Sequence, residues 1–250
     1  MAENNVNDPG DLIFTRLNEG RAESNFDEIT PRYFLTDPDA VTAESVCGID
    51  NRVKVTATTI LPYKAICKLY MGSPTGKSYI GSGWLTDKKK LYTAAHCVFD
   101  LDAGDWMESI IVVPGKSGLA EPYGQYHASE LAATRGWIEQ GSARYDMGAI
   151  KFSGDVNHSD FLTPELADPN FGEVCGYPAD RDTGVFQYKM SDTLTKNGGQ
   201  FQYLVDTFGG QSGCPLLRDR TRAVGIHNYG GCPNSSSDLY QEFIDSINNW

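Results

Sequence analysis

The sequence has no run of about 18 apolar residues, so no stretch reads as a membrane-spanning helix. No charged-then-apolar leader of the signal-peptide kind opens it. Positive charge is scarce. Lys and Arg number 21 against 33 Asp and Glu, a formal charge of −12 that argues against a nucleic-acid partner. Paired Cys-x-x-Cys spacing is absent, which removes the usual signature of a zinc site. Nothing in the chain calls for a cofactor or a metal. Helical periodicity is rare too, confined to one clear stretch at the C-terminus.

Several features are present in force. The 250 residues, 40% hydrophobic, are enough for a sizeable core, either one all-β unit or two small barrels. Gly 26 and Pro 12 suit many short strands joined by turns. Ser109 to Pro114 reads as a buried strand ended by a turn at Gly115, and Gly148 to Phe152 as another. Glu121-Pro122-Tyr123-Gly124 is a turn signal, and Lys196-Asn197-Gly198-Gly199 fits a hairpin. Lys88-Lys89-Lys90 reads as a solvated hairpin tip. From Asp238, apolar residues recur at Leu239, Phe243, Ile244 and Ile247, which is helical spacing, and Asp238 with Gln241 resembles a capping box. His127 and His158 stand among polar residues and read as surface histidines.

Three motifs carry chemistry. Thr93-Ala94-Ala95-His96-Cys97 comes first. Tyr145-Asp146-Met147-Gly148-Ala149-Ile150 follows fifty residues on, and Gly209-Gly210-Gln211-Ser212-Gly213-Cys214-Pro215 another sixty-six beyond. A serine hydroxyl is a poor nucleophile unless a base lies within hydrogen-bond reach, and the base needs a third group to fix its tautomer. Ser212, His96 and Asp146 fit those roles as nucleophile, base and orienter. The chain order His, Asp, Ser belongs to the double-barrel proteases. Glycines around Ser212 let the chain turn sharply and present the amides of Gly210 and Ser212 to a developing oxyanion.

These motifs resemble the chymotrypsin-like serine protease superfamily, and more closely the bacterial glutamyl endopeptidases of staphylococcal V8-like and Bacillus type. The resemblance runs from about Ser45 to Trp250. Pro62-Tyr63-Lys64-Ala65-Ile66 looks like the first barrel strand and Gly81-Ser82-Gly83-Trp84 like the second. Cys175-Gly176-Tyr177-Pro178 looks like the opening of the second barrel. Asp206-Thr207-Phe208-Gly209-Gly210-Gln211-Ser212-Gly213 is the most specific match, followed by Val224-Gly225-Ile226-His227 along the specificity pocket. The resemblance implies an all-β fold of two six-stranded antiparallel barrels with a C-terminal helix, divided at roughly 45–155 and 156–250. It implies cleavage of protein or peptide substrates after Glu, less readily after Asp. His227 and Thr207 would meet the substrate carboxylate, because a buried carboxylate needs hydrogen-bond partners. Asp206 lies six residues before Ser212, where trypsin-like enzymes keep an acid for Lys or Arg. It is read as one residue out of register with that site, leaving Thr207 to face the pocket. Gln211 stands where many relatives carry an aspartate that pairs with the freed N-terminus; a neutral amide makes no such ion pair.

The front of the chain differs in character. Met1 to Glu44 hold ten acidic and three basic side chains. Glu3 to Gly10 reads as loop or disorder, and strand-like alternation is poor throughout. Either this is a solvated tail or residues 1–44 are a propeptide. The family's mature chain begins near a motif that Ser45 to Val53 resembles, and cleavage between Glu44 and Ser45 would be the enzyme's own specificity acting on itself. Six cysteines, an even count, suggest disulfides and an oxidising compartment, hence a secreted, extracellular protein. They allow fifteen pairings, and sequence alone does not choose. The family often bridges the cysteine after the catalytic histidine to the strand near Gly81, where this chain has none. Cys67 with Cys97, and Cys214 with Cys232, are the pairs expected instead. A monomer is expected. Two other readings stay open on sequence alone: a protease with another preference before the cut, and a protease-fold binding protein without catalysis.

Overall fold

The computed structural model describes residues 8–17 and 46–250. Thirteen strands carry the architecture. They are β1 Leu12–Arg16, β2 Ile66–Gly72, β3 Ser78–Leu85, β4 Lys90–Thr93, β5 Ser109–Pro114, β6 Tyr126–Thr134 and β7 Gly148–Phe152, then β8 Phe171–Gly176, β9 Tyr188–Thr193, β10 Gln200–Tyr203, β11 Pro215–Leu217, β12 Arg222–Tyr229 and β13 Asn234–Asp238. Two helices join them, α1 Arg135–Gln140 and α2 Gln241–Asn249.

The first seven strands form one sheet in the order β1-β6-β7-β4-β3-β2-β5. Pairing of β5 with β6, at Ile111 opposite His127 and Val112 opposite Tyr126, closes six of them into a barrel. Closure removes the exposed edges that an open sheet would leave. The interior is filled by Leu69, Met71, Leu91, Ile110, Leu131 and Ile150, all nearly or fully buried. α2 lies on this barrel, with Phe243, Ile244 and Ile247 buried and the Phe243 ring edge-on to Tyr92 at 5.0 Å. Lys90 Nζ donates to the Ile247 carbonyl at 2.9 Å, supplying a cation to the helix C-terminus.

The second sheet runs Thr195–Asn197, β10, β13, β12, β11, β8, β9 and the short strand Val53–Lys54, with Thr163–Pro164 beside the start of β12. Its own core holds Val174, Phe201, Tyr203, Val205, Leu216 and Val224. The all-β, chymotrypsin-like architecture with a C-terminal helix is thus present, with one difference. The second lobe is a curled open sheet, because no pairing among the described residues joins β9 to β10.

Other local expectations change. Tyr63–Ala65 is a turn of 3-10 helix, and the first barrel strand starts at Ile66. Pro62 suits a turn, having no N–H to give a sheet. Asp238 ends β13, where its carboxylate pairs with Lys196, and α2 begins at Gln241 with no side-chain cap from Tyr240, so the capping box is not formed. His158 is half-buried between the rings of Tyr123 and Phe161, while His127 is exposed. Burial is the main cause that holds the His158 pKa below the usual 6.5. The front segment contributes a strand, β1, whose five residues were too few to register as alternation among so many acidic neighbours. Glu44 and Ser45 lie outside the described residues.

Neither expected disulfide forms. Cys47 pairs with Cys232, and Cys67, Cys97, Cys175 and Cys214 are buried thiols. The sulfur of Cys97 lies 3.0 Å from where a Cβ on Gly81 would stand, so it faces the position that has no cysteine rather than Cys67. Cys214 packs toward Gly176 on β8, which leaves Cys232 for Cys47.

Candidate active site

Strand pairing puts two of the three motifs at one end of the barrel. Gly148 on β7 lies opposite Thr93 on β4. His96 follows Thr93 in the turn Ala95–Cys97, and Asp146 precedes Gly148 after the turn Ala143–Tyr145. The short gap between each motif and its strand carries both side chains over the same rim. The Asp146 carboxylate is fully buried and meets His96 twice. Oδ1 accepts the His96 backbone N–H at 2.9 Å, and Oδ2 lies 2.6 Å from ring Nδ1. Rings of Trp137 and Tyr229 flank the imidazole at 6.0 and 6.4 Å.

Electrostatics follow from this geometry. Burial alone would lower the His96 pKa, but the Asp146 charge outweighs it and holds the imidazole well above its usual 6.5. Burial likewise works to raise Asp146, and the facing His96 overrides it, so the carboxyl sits below 3.8. Tyr229 adds a hydrogen bond to that carboxylate, and the Asn228 amide donates to the Asp146 carbonyl.

Ser212 comes from the second lobe. Its carbonyl accepts the N–H of Ser82 on β3 at 2.8 Å and lies 3.7 Å from the sulfur of Cys97, the residue after His96. Ser82 links the lobes further. Its hydroxyl donates to the Gly210 carbonyl at 2.8 Å and accepts the Tyr177 N–H at 3.0 Å. The turn before Ser212 is fixed on its other side, because Gly209 O accepts Ala179 N–H at 2.7 Å. Gly210 has φ 100°, and a Cβ there would stand 2.5 Å from the Tyr177 carbonyl, so only glycine fits. No hydrogen bond among the described residues takes up the Gly210 N–H. Gln211, buried, uses its side-chain oxygen to accept Phe208 N–H at 3.1 Å, stabilising its own turn.

The residues expected from the sequence to meet the substrate side chain are also buried. His227 on β12 is fully buried, its Nδ1 2.6 Å from the Tyr203 hydroxyl. Thr207 is buried, with no hydrogen-bond partner for Oγ1 among the described residues. Ser236, opposite His227 in the β12–β13 pairing, is likewise buried, its hydroxyl without a hydrogen-bond partner among the described residues. Asp206 is committed elsewhere. Its Oδ1 accepts Cys47 N–H and its Oδ2 accepts Asn51 N–H, both at 2.8 Å. Segment 46–52 is fastened again by the Cys47–Cys232 disulfide and by Arg52, whose buried guanidinium spans Asp50 and Asp180 at 2.7 and 2.5 Å. The Arg52 hydrogen bond holds the Asp50 carboxyl well below its usual range.

Sequence reasoning passed over Ser82, Tyr203, Ser236, Asn228 and Tyr229. The last two directly follow His227 and were within reach of the motif; the others depend on strand register.

Residues 57–250 match the family model described as Trypsin. The chain is 31% identical over 227 residues to a glutamyl endopeptidase of Bacillus licheniformis, covering 83% of this chain and 69% of that protein. It is 30% identical over 218 residues to a protein of Bacillus subtilis named extracellular metalloprotease, covering 82% and 69%. A solved structure of a Glu endopeptidase in complex with MPD superimposes with a TM-score of 0.73 at 28% identity, over 82% of this chain and 98% of that one. The subtilis name implies a metal. Among the described residues no group of three or more His, Cys, Asp or Glu is placed to hold one, so the residues present do not fit that group. The domain match spans both lobes and all three chemical motifs, and the protein belongs to the trypsin family of chymotrypsin-like serine endopeptidases.

Proposed function

We propose that Ser212, His96 and Asp146 are the catalytic triad and that the enzyme cleaves after glutamate, less readily after aspartate. Ser212 Oγ attacks the scissile carbonyl while His96 Nε2 takes its proton and then passes it to the leaving amine. Water hydrolyses the acyl-enzyme by the same route in reverse. Asp146 holds the Nδ1–H and stabilises the imidazolium. The Gly210 and Ser212 amides receive the oxyanion, each such donor being worth about 3–4 kcal/mol in the barrier.

The observation that carries the specificity is the disposition of His227, Thr207 and Asp206. A Tyr203 hydroxyl donating to Nδ1 of His227 leaves the ring proton on Nε2 as a donor for an anion. The unpartnered Thr207 hydroxyl is a second buried donor, and such groups call for an explanation in a native structure. Asp206 spends both carboxylate oxygens on the amides of Cys47 and Asn51, so it offers little to a Lys or Arg side chain. The two glutamyl endopeptidase likenesses support the same reading.

Residues 1–44 then act as a propeptide, cut between Glu44 and Ser45, in a secreted enzyme. Such a cut frees an amine two residues before Cys47, whose N–H is already held by Asp206. Fluorophosphonate labelling tests the nucleophile, with the label expected on Ser212 and lost in Ser212→Ala. Mass spectrometry of the active species tests the processing site. A fully active enzyme in which no N-terminus lies near Ser45 to Cys47 would defeat that part.

A further inference from the structure

Ten residues of the acidic front segment are built into the first lobe. Along β6, β5 reaches only Tyr126 and His127 at its start, so beyond them that edge of β6 would stand bare. β1 covers it, with Leu12 opposite Thr134 and Arg16 opposite Glu130. Leu17 N–H extends the pairing to Ser129 O at 2.9 Å. Leu12 and Leu17 pack against the barrel core, and Phe14 meets the Trp250 ring at 5.2 Å.

The contacts continue toward the catalytic rim. Asp11 O accepts Arg135 N–H at 2.7 Å and Pro9 O accepts Gly136 N–H at 2.8 Å. These are first-turn donors of α1, which have no partner inside the helix. Gly136 O in turn accepts Ser142 N–H at 3.1 Å, in the loop that leads to Asp146. Thr134, last residue of β6, donates its N–H to Met147 O at 3.2 Å and its hydroxyl to Tyr145 O. Asp146 lies between those two carbonyl-bearing residues. Trp137 of α1 flanks the His96 ring. Tyr240, whose hydroxyl donates to Gly10 O at 2.7 Å, ties the same segment to the start of α2.

We propose that the edge from Ser129 to Gly136 is a binding slot for the chain's own Asp8–Leu17 strand, and that this strand braces the turn carrying Asp146. It stays seated when the chain is cut anywhere between Asn18 and Ser45. The first cysteine is Cys47, so no disulfide retains the front piece, and the processed enzyme is a non-covalent complex of two chains. This rests on reading Asp146 as the orienting carboxylate and residues 1–44 as cut from the rest.

The docking is tested apart from the enzyme's own cutting. A recognition site for an unrelated protease is inserted after Thr30 in the Ser212→Ala protein, which is then nicked and examined by size exclusion and native mass spectrometry. Both pieces co-elute at micromolar concentration and part only in denaturant; separation in native buffer overturns the proposal. In the active, nicked enzyme, Leu12→Asp/Leu17→Asp releases the front piece. kcat then falls about ten- to a hundredfold, as a small displacement of a catalytic group does, with KM little changed. A synthetic peptide of residues 8–17 restores it in a nicked enzyme stripped of its front piece. An unchanged kcat after release refutes the brace. Full activity in Asp146→Asn, with the nicked pieces still co-eluting, refutes the triad reading and leaves the docking intact.

Discussion

Replacing His227 by leucine separates charge recognition from packing. The residue is fully buried on β12, and leucine is close enough in volume to keep the second-lobe core filled. What is lost is the imidazole donor, held through its 2.6 Å contact with Tyr203. A hydrogen bond to a charged group contributes about 1.5–3 kcal/mol, which corresponds to a fall of about 10- to 150-fold in kcat/KM for a glutamate substrate. A glutamine substrate carries no charge and loses less. The assay is kcat/KM on two peptides that differ only in Glu or Gln before the cut. In His227→Leu the Glu:Gln ratio drops by most of that factor. Tyr203→Phe, which only releases the tautomer, lowers it by about fivefold, the worth of one ordinary hydrogen bond. An unchanged ratio in His227→Leu, with the fold intact by circular dichroism, would refute the role given to His227.

Asp146→Asn lowers kcat by about four orders of magnitude, the cost of the wrong imidazole tautomer. The pH profile carries a sign as well. With His96 as the proposed neutral base and its pKa raised by Asp146, kcat/KM of the wild type is expected to fall as pH drops through a midpoint above 6.5. In Asp146→Asn that midpoint moves down. Stability from the depressed Asp146 pKa is present above 3.8 and is lost as pH falls through its folded value, which acid titration of the unfolding free energy reads. Ser82→Ala removes the hydroxyl that joins Gly210 O to Tyr177 N–H; two buried groups lose their partner at about 1–3 kcal/mol each, and kcat falls about tenfold or more with KM little changed, measured by steady-state kinetics. Lys68 is buried on β2 with no hydrogen-bond partner for Nζ among the described residues, and burial pushes its pKa well below 10.5. Lys68→Met removes that desolvated amine and raises Tm by about 2–6 °C at an expected gain of about 1–2 kcal/mol, read by calorimetry.

The chemistry was the most legible part of the chain, because each motif sits within three residues of a strand end. Thr93 opposite Gly148 is enough to bring His96 to Asp146. Glycine at position 210 was legible for the same local reason, a backbone conformation that other residues resist. The disulfide was not legible, since Cys47 and Cys232 lie 185 residues apart and meet through the tertiary contacts of segment 46–52, the Asp206 bond to Cys47 N–H among them. Tyr203 and Ser236 escaped notice because their closeness to His227 is a matter of register across β10, β13 and β12, not of sequence spacing. β1 escaped because its stability comes from the bare edge of β6 rather than from its own pattern. The open second sheet has a similar origin, as closure depends on the reach of β9 and β10 toward one another.

The most direct test of the account is a panel of peptides that differ only at the residue before the cut, assayed on the processed wild-type enzyme. The account predicts the highest kcat/KM after Glu, slower cleavage after Asp, and little after Gln, Lys, Arg or Phe. Fast cleavage after Lys, Arg or Phe with none after Glu would contradict it.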